Sequence, residues 1–113
     1  MCFFVAISIF MLIVLTTTPN LAEAESLAQK IVEAKLAACV QVLPNIVSFY
    51  IWENKLQKDS ECLLLIKTLA EKYAELEKLI QTNHSYQTPE IIALNSEKVS
   101  EHYLNWMNNY LKV

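Results

Sequence analysis

The chain has 113 residues, 54% of them hydrophobic and 19% charged, enough for one domain with a core and too little for two. Its net charge is −3 and it has no run of Lys or Arg, so it lacks the electrostatic footprint of a nucleic-acid or anionic-lipid binder. It has no glycine, which excludes a P-loop, a GxGxxG turn and every other glycine-built phosphate cradle.

Without glycine, any position needing positive φ falls to the next most tolerant residues, and Asn20, Asn45, Asn54, Asn83 and Asn95 are the candidates. The three cysteines, Cys2, Cys39 and Cys62, form no CxxC and no zinc spacing, and an odd number leaves one unpaired. Cys39 and Cys62 sit among apolar residues, as small buried hydrophobes of a reducing compartment do.

The opening MCFFVAISIFMLIVLTTT has two readings. Its apolar stretch and Ala22-Glu23-Ala24 resemble a signal peptide with its cleavage site, but no basic residue precedes Lys30. The run is about 15 residues, short of the roughly 20 that span a bilayer. The competing reading makes Ile9 to Thr17 a buried strand, with residues 1–8 an apolar extension of a domain covering 9–113.

PNLAEAESLAQKIVEAKLAA predicts a helix that ends near Ala37. Asn20 and Glu23 are spaced as a capping box, and Ala24, Leu27, Ala28 and Ile31 recur on one face. CVQVLPNIVSFYIW is β-branched and aromatic, a long strand that Pro44 must bend or bulge at an exposed edge. Glu53-Asn54-Lys55 reads as a tight hairpin with Asn54 at positive φ. The return strand carries the apolar run Cys62 to Ile66, the pattern of a strand covered on both faces.

Thr68 and Glu71 are spaced as a second capping box, ahead of a helix with Leu69, Tyr73, Leu76 and Ile80 on one stripe. The loop NHSYQTPE then leads into a fourth strand, IIALN. Ser100 caps a last helix with Tyr103, Met107, Tyr110 and Leu111 on its apolar side. The order is βαββαβ plus a helix: an α+β, ferredoxin-like antiparallel sheet. Only the strand reading of Ile9 to Thr17 completes it, so that reading is adopted.

Lys35 to Val40 (KLAACV), Pro44-Asn45-Ile46, Tyr50-Ile51-Trp52, Leu64 to Thr68 (LLIKT), His84 to Leu94 and Tyr103-Leu104-x-Trp106 occur in one order. With them the chain resembles the CutA (CutA1) family, the divalent-cation tolerance proteins, over roughly residues 10 to 112. The resemblance implies a homotrimer joined through long bent second strands, and a part in tolerance of copper and other divalent cations. It implies no obligatory cofactor, with copper or another divalent cation as the ligand. The cysteine pattern and the strand reading of the N-terminus point to a cytoplasmic protein, with export or anchoring through the apolar N-terminus as the competing reading. The family loop reads His-Pro-Tyr-Glu-x-Pro-Glu, whereas this chain has Ser85 for the proline and Gln87 for the first glutamate. The first change makes the loop less stiff, and the second removes an anionic oxygen suited to a cation. Asn54 stands where the family hairpin has Gly.

The candidate metal ligands are Cys39, His84 and Glu90, and Trp52, Lys67 and Tyr86 are the candidate lining of a cleft between protomers. Cys39 is either a soft thiolate for copper or a core cysteine. His84 and Glu90 supply metal-binding atoms, but a closed site needs about four ligands. In the structural alternative Tyr86 ties down the loop, Pro89 directs the chain into the strand and Glu90 pairs with Lys67. The hairpin register sets Cys62 about six residues, roughly 20 Å, from the position facing Cys39, so no intrachain disulfide is expected. No nucleophile–base pair stands out and His102 reads as a solvated helical residue, so an enzyme is not expected. Membrane association is not expected either. The alternative function is a PII-like trimeric signalling or scaffold protein that binds a small anionic ligand near Lys67.

Overall fold

A computed structural model of the chain describes residues 10–112. The predicted role of Ile9 and the extension 1–8 lie outside the described residues. Strand β1 (Met11–Thr18) is followed by helix α1 (Leu21–Glu33), strands β2 (Cys39–Trp52) and β3 (Lys55–Leu69), helix α2 (Tyr73–Thr82), strand β4 (Ile92–Asn95) and helix α3 (Glu101–Leu111). The four strands form one antiparallel sheet in the order β2-β3-β1-β4, the ferredoxin-like plan. The first strand is therefore central, paired on both sides, and cleavage at Ala24 would remove it from the sheet.

Strand alternation sorts the core into two clusters. Leu12 and Val14 of β1 and Cys62, Leu64 and Ile66 of β3 pack with Ala24, Leu27 and Ile31 of α1 and Leu76 and Ile80 of α2. The alternate residues Met11 and Leu69 pack instead with Met107 and Leu111 of α3. Leu63 and Leu65, also on that second face, are only half-buried. The apolar run in β3 is thus fully covered on the α1/α2 face and only partly covered on the other.

Asn20 caps α1, its side chain accepting from Glu23 N–H at 2.8 Å. The helix ends at Glu33, four residues before the expected end, because Lys35 turns left-handed at φ 57°. Lys35 N–H then reaches Val32 O and Leu36 N–H reaches Ile31 O. This is a Schellman stop with lysine where glycine is usual, closed by burial of Leu36 and Ile31 together. Positive φ also occurs at Asn45 (61°), Glu53 (51°) and Asn54 (63°). Asn45 and Asn54 were expected; Lys35 and Glu53 were not, and Asn20 and Asn83 have negative φ.

Asn45 marks the bulge predicted at Pro44: the β2–β3 register shifts between Leu43 and Ile46. Glu53 and Asn54, both left-handed, make the two-residue hairpin turn. The second expected capping box does not form. Thr68 remains in β3, its buried hydroxyl donating to Leu36 O at 2.7 Å, and α2 starts at Tyr73 after a 3-10 turn with no side-chain cap. Ser100 caps α3 as expected, accepting from Tyr103 N–H.

The described residues extend 61 × 27 × 22 Å, because the outer half of the β2–β3 hairpin runs past both helices. Beyond the bulge Val47, Phe49 and Ile51 share one face with Leu56, and all four are more than half exposed. Among the described residues only the Lys58 ammonium, 5.8 Å from the centre of the Phe49 ring, stands over this stripe.

Candidate functional site

The site lies at the root of that arm, on the face opposite α1 and α2. Past the bulge, Ile46 pairs with Glu61, so Tyr50 and Trp52, at even spacing from Ile46, stand on the same face as Glu61. Thr17 reaches this face from β1. The loop after α2 borders it with Ser85, Tyr86, Gln87, Thr88 and Glu90, forming a half-open pocket of about 490 Å³.

His84 holds the loop in place. Its Nδ1 accepts from Tyr86 N–H at 3.0 Å, so the ring proton is on Nε2, which donates to Thr17 O at 2.7 Å. The ring is fully buried, with Glu23 Oε1 3.9 Å from Nδ1. In this arrangement neither nitrogen has a lone pair free for a metal. His84 positions Tyr86 and does not line the pocket.

Glu23 receives both the N–H and the hydroxyl of Ser85, each at 2.8 Å. Its carboxylate therefore binds the loop and not the helix N-terminus. A proline at 85 has no N–H and no hydroxyl, so serine replaces the lost stiffness with two charge-assisted bonds.

Tyr86 donates to Glu61 Oε2 at 2.8 Å, and burial first, then that carboxylate, push its phenol far above the ordinary tyrosine value. Tyr50 donates to Asp59, and this bond, followed by burial, raises its pKa too. Glu61 is nine-tenths buried, with 9% exposure, while Glu90 is exposed at the rim.

Trp52, Tyr86 and Glu90 thus come together, and Lys67 does not join them. Lys67 lies six residues farther along β3 from Glu61, roughly 20 Å away. There it pairs across the strands with Cys39 and its Nζ lies 5.7 Å from the centre of the Tyr103 ring. Glu90 and Lys67 are accordingly not a pair. Cys39 is half-buried, with its thiol against the Tyr103 hydroxyl, whose pKa is raised by burial first and then by Cys39. Within one chain Cys39 is therefore apart from His84 and Glu90, and among the described residues no three His, Cys, Asp or Glu side chains are placed to hold a metal. Cys39 and Cys62 are both free thiols; the bulge puts Lys67, not Thr68, opposite Cys39.

Glu61, Tyr50 and Thr17 went unnoticed as pocket residues. A signal for Glu61 existed: it is the carboxylate immediately before the apolar run, and the two-residue turn alone, setting Trp52 opposite Lys55 and Ile46 opposite Glu61, aligns it with the Tyr50/Trp52 face.

The profile of the CutA1 divalent ion tolerance protein family matches residues 12–110. This chain belongs to the CutA1 family. It is 45% identical over 98 residues to the chloroplastic CutA protein of Arabidopsis thaliana, covering 87% of this chain and 54% of that protein. The chain therefore spans about half the length of that relative. The crystal structure of CutA1 from Oryza sativa superposes with a TM-score of 0.90 at 38% identity, covering 95% of this chain and 98% of that one. The periplasmic divalent cation tolerance protein CutA of Archaeoglobus fulgidus superposes at 0.88 with 37% identity, covering 90% and 99%. CutA1 relatives thus include proteins described as chloroplastic and as periplasmic. Among the described residues no helix is long and apolar enough to cross a membrane.

Proposed function

We propose that this CutA1 chain acts in divalent-cation tolerance, copper included, as a non-enzymatic homotrimer that binds the cation weakly or transiently. The observation that carries the cation part is the pocket's charge. Glu61 and Glu90 line it, and no Lys, Arg or His does. Carboxylate oxygens suit hard divalent cations, and the Cys39 thiol at the other end of the same face suits Cu(I). A second protomer is needed to bring further ligands to either place.

Support for assembly comes from the arm: Val47, Phe49, Ile51 and Leu56 form an apolar stripe beside the long edge strand β2, an arrangement that invites pairing. Three as the number of copies follows from the family resemblance. The free thiols of Cys39 and Cys62 support a reducing, cytoplasmic setting. The PII-like alternative, which needs an anion site near Lys67, gains nothing here, since Lys67 is outside the pocket and covers Tyr103.

Calorimetry of the reduced, assembled protein with Cu(I) and Cu(II) tests the proposal. Saturable binding weakened by Glu61→Gln or Cys39→Ser is expected. Absence of any binding tighter than about millimolar, an affinity near 4 kcal/mol, rejects direct metal handling.

A further inference from the structure

The pocket beside the hairpin carries a chemical preference that divalent-cation tolerance does not specify. Its volume of about 490 Å³ falls in the range of small organic ligands and far exceeds one bare metal ion. Glu61 is nine-tenths buried, and among the described residues it has no cationic partner; its hydrogen bond comes from the neutral Tyr86 hydroxyl. A buried carboxylate without a countercharge is costly, so this residue calls for a cation from outside the chain.

Glu90 places a second carboxylate at the rim, and three of the lining residues are aromatic: Tyr50, Trp52 and Tyr86. Both tyrosine hydroxyls are spent on carboxylates, Tyr50 on Asp59 and Tyr86 on Glu61. The Ser85 hydroxyl is likewise committed to Glu23. These groups have no donor left for an anion, while the rings supply π-systems beside a fixed negative charge. Trp52 remains 60% exposed among the described residues, a large aromatic surface open at the pocket.

We propose that this pocket binds a small organic cation of the alkylammonium class. The ammonium charge is balanced by Glu61 and Glu90, and its carbon groups lie against Trp52 and Tyr50, where cation–π attraction adds to apolar burial. The proposal rests on the reading of the pocket as a cation site but not on metal binding.

The test is calorimetry of the full chain in its assembled state, with tetramethylammonium, n-butylammonium, neutral tert-butanol and Cu(II) titrated separately. Saturable ammonium binding is expected, at least about tenfold tighter than any for tert-butanol. Glu61→Gln should weaken it about tenfold or more, and Trp52→Leu and Glu90→Gln each about threefold to tenfold. The last two residues are exposed, so those variants carry the test if Glu61→Gln fails to fold. Ammonium binding no better than tert-butanol, or binding unmoved by Trp52→Leu and Glu90→Gln, overturns the proposal. Copper binding without ammonium binding overturns it and keeps the metal reading; the reverse keeps it and removes the metal reading. A Glu61→Gln variant that loses native mass, in a protein that binds no ammonium, overturns it by showing that a second copy supplies the countercharge.

Discussion

The two halves of the β2–β3 hairpin have similar strand chemistry and opposite surroundings. At the base, Leu64 and Ile66 are fully buried under α1 and α2. At the tip, Phe49, Ile51 and Leu56 are 63%, 65% and 70% exposed. The base completes its core within one chain; the tip leaves its apolar stripe uncovered, which the proposed assembly would complete. The bulge at Leu43/Ile46 is where one regime gives way to the other, and the pocket sits just beyond it.

The largest expected effect is at the base. Leu64→Ala should destabilise the fold by about 2–5 kcal/mol, read by chemical denaturation, because it opens a cavity among residues with no exposure. A loss below about 1 kcal/mol would mean that the base is not the closed core described here.

At the tip, Ile51→Lys should leave the secondary structure of the protomer unchanged and reduce assembly about tenfold or more, read by light scattering across a dilution series. If it unfolds the protomer while leaving the mass intact, the contrast between base and tip fails.

Thr68→Val at the base removes the buried bond to Leu36 O and should cost about 1–3 kcal/mol, since that carbonyl is left without its donor. Near the pocket, the raised Tyr86 pKa makes a pH prediction. An unfolded tyrosine ionises near about 10, whereas folded Tyr86 keeps its proton above that pH. Its contribution to stability is therefore fully present below about pH 10 and is lost as pH rises toward the folded value. Tyr86→Phe should flatten the alkaline fall in denaturation midpoint above that pH; an unchanged slope would assign the fall to other groups.

The smallest effect belongs to the turn. Glu53→Gly relieves a left-handed non-glycine residue and should stabilise by about 1 kcal/mol or less, a shift of a few degrees in Tm.

Most of the fold was legible because it rests on periodicities and cap spacings that act locally. The boundaries of β2, the Asn20 and Ser100 caps, the bulge near Pro44 and the Glu53-Asn54 hairpin were all visible in that way. The misreadings have a common physical cause: distant packing overrode a local signal. Thr68 has cap spacing but is held in β3 by Leu36 O, and Lys35 accepts a left-handed conformation so that Leu36 can join the core beside Ile31.

The site was harder to read for the same reason. Trp52, Tyr86 and Glu90 belong to recognisable stretches, and the fold brings them together. Lys67 belongs to one as well, but the register places it at the far end of β3 with Cys39. Glu61 has no motif around it. Its place in the pocket follows from the register that the Glu53-Asn54 turn sets on the tip side of the bulge, with Ile46 opposite Glu61. Ser85 looked like a loss of stiffness, and only the approach of Glu23 from α1 shows what replaces the proline.

The contrast between a self-sufficient base and an unfinished tip is tested most directly by the native mass of the full chain at micromolar concentration. A mass of three chains, each 13.0 kDa, that falls on introducing Ile51→Lys is the predicted result. A stable monomer at every concentration, with Phe49, Ile51 and Leu56 left in water, would contradict it.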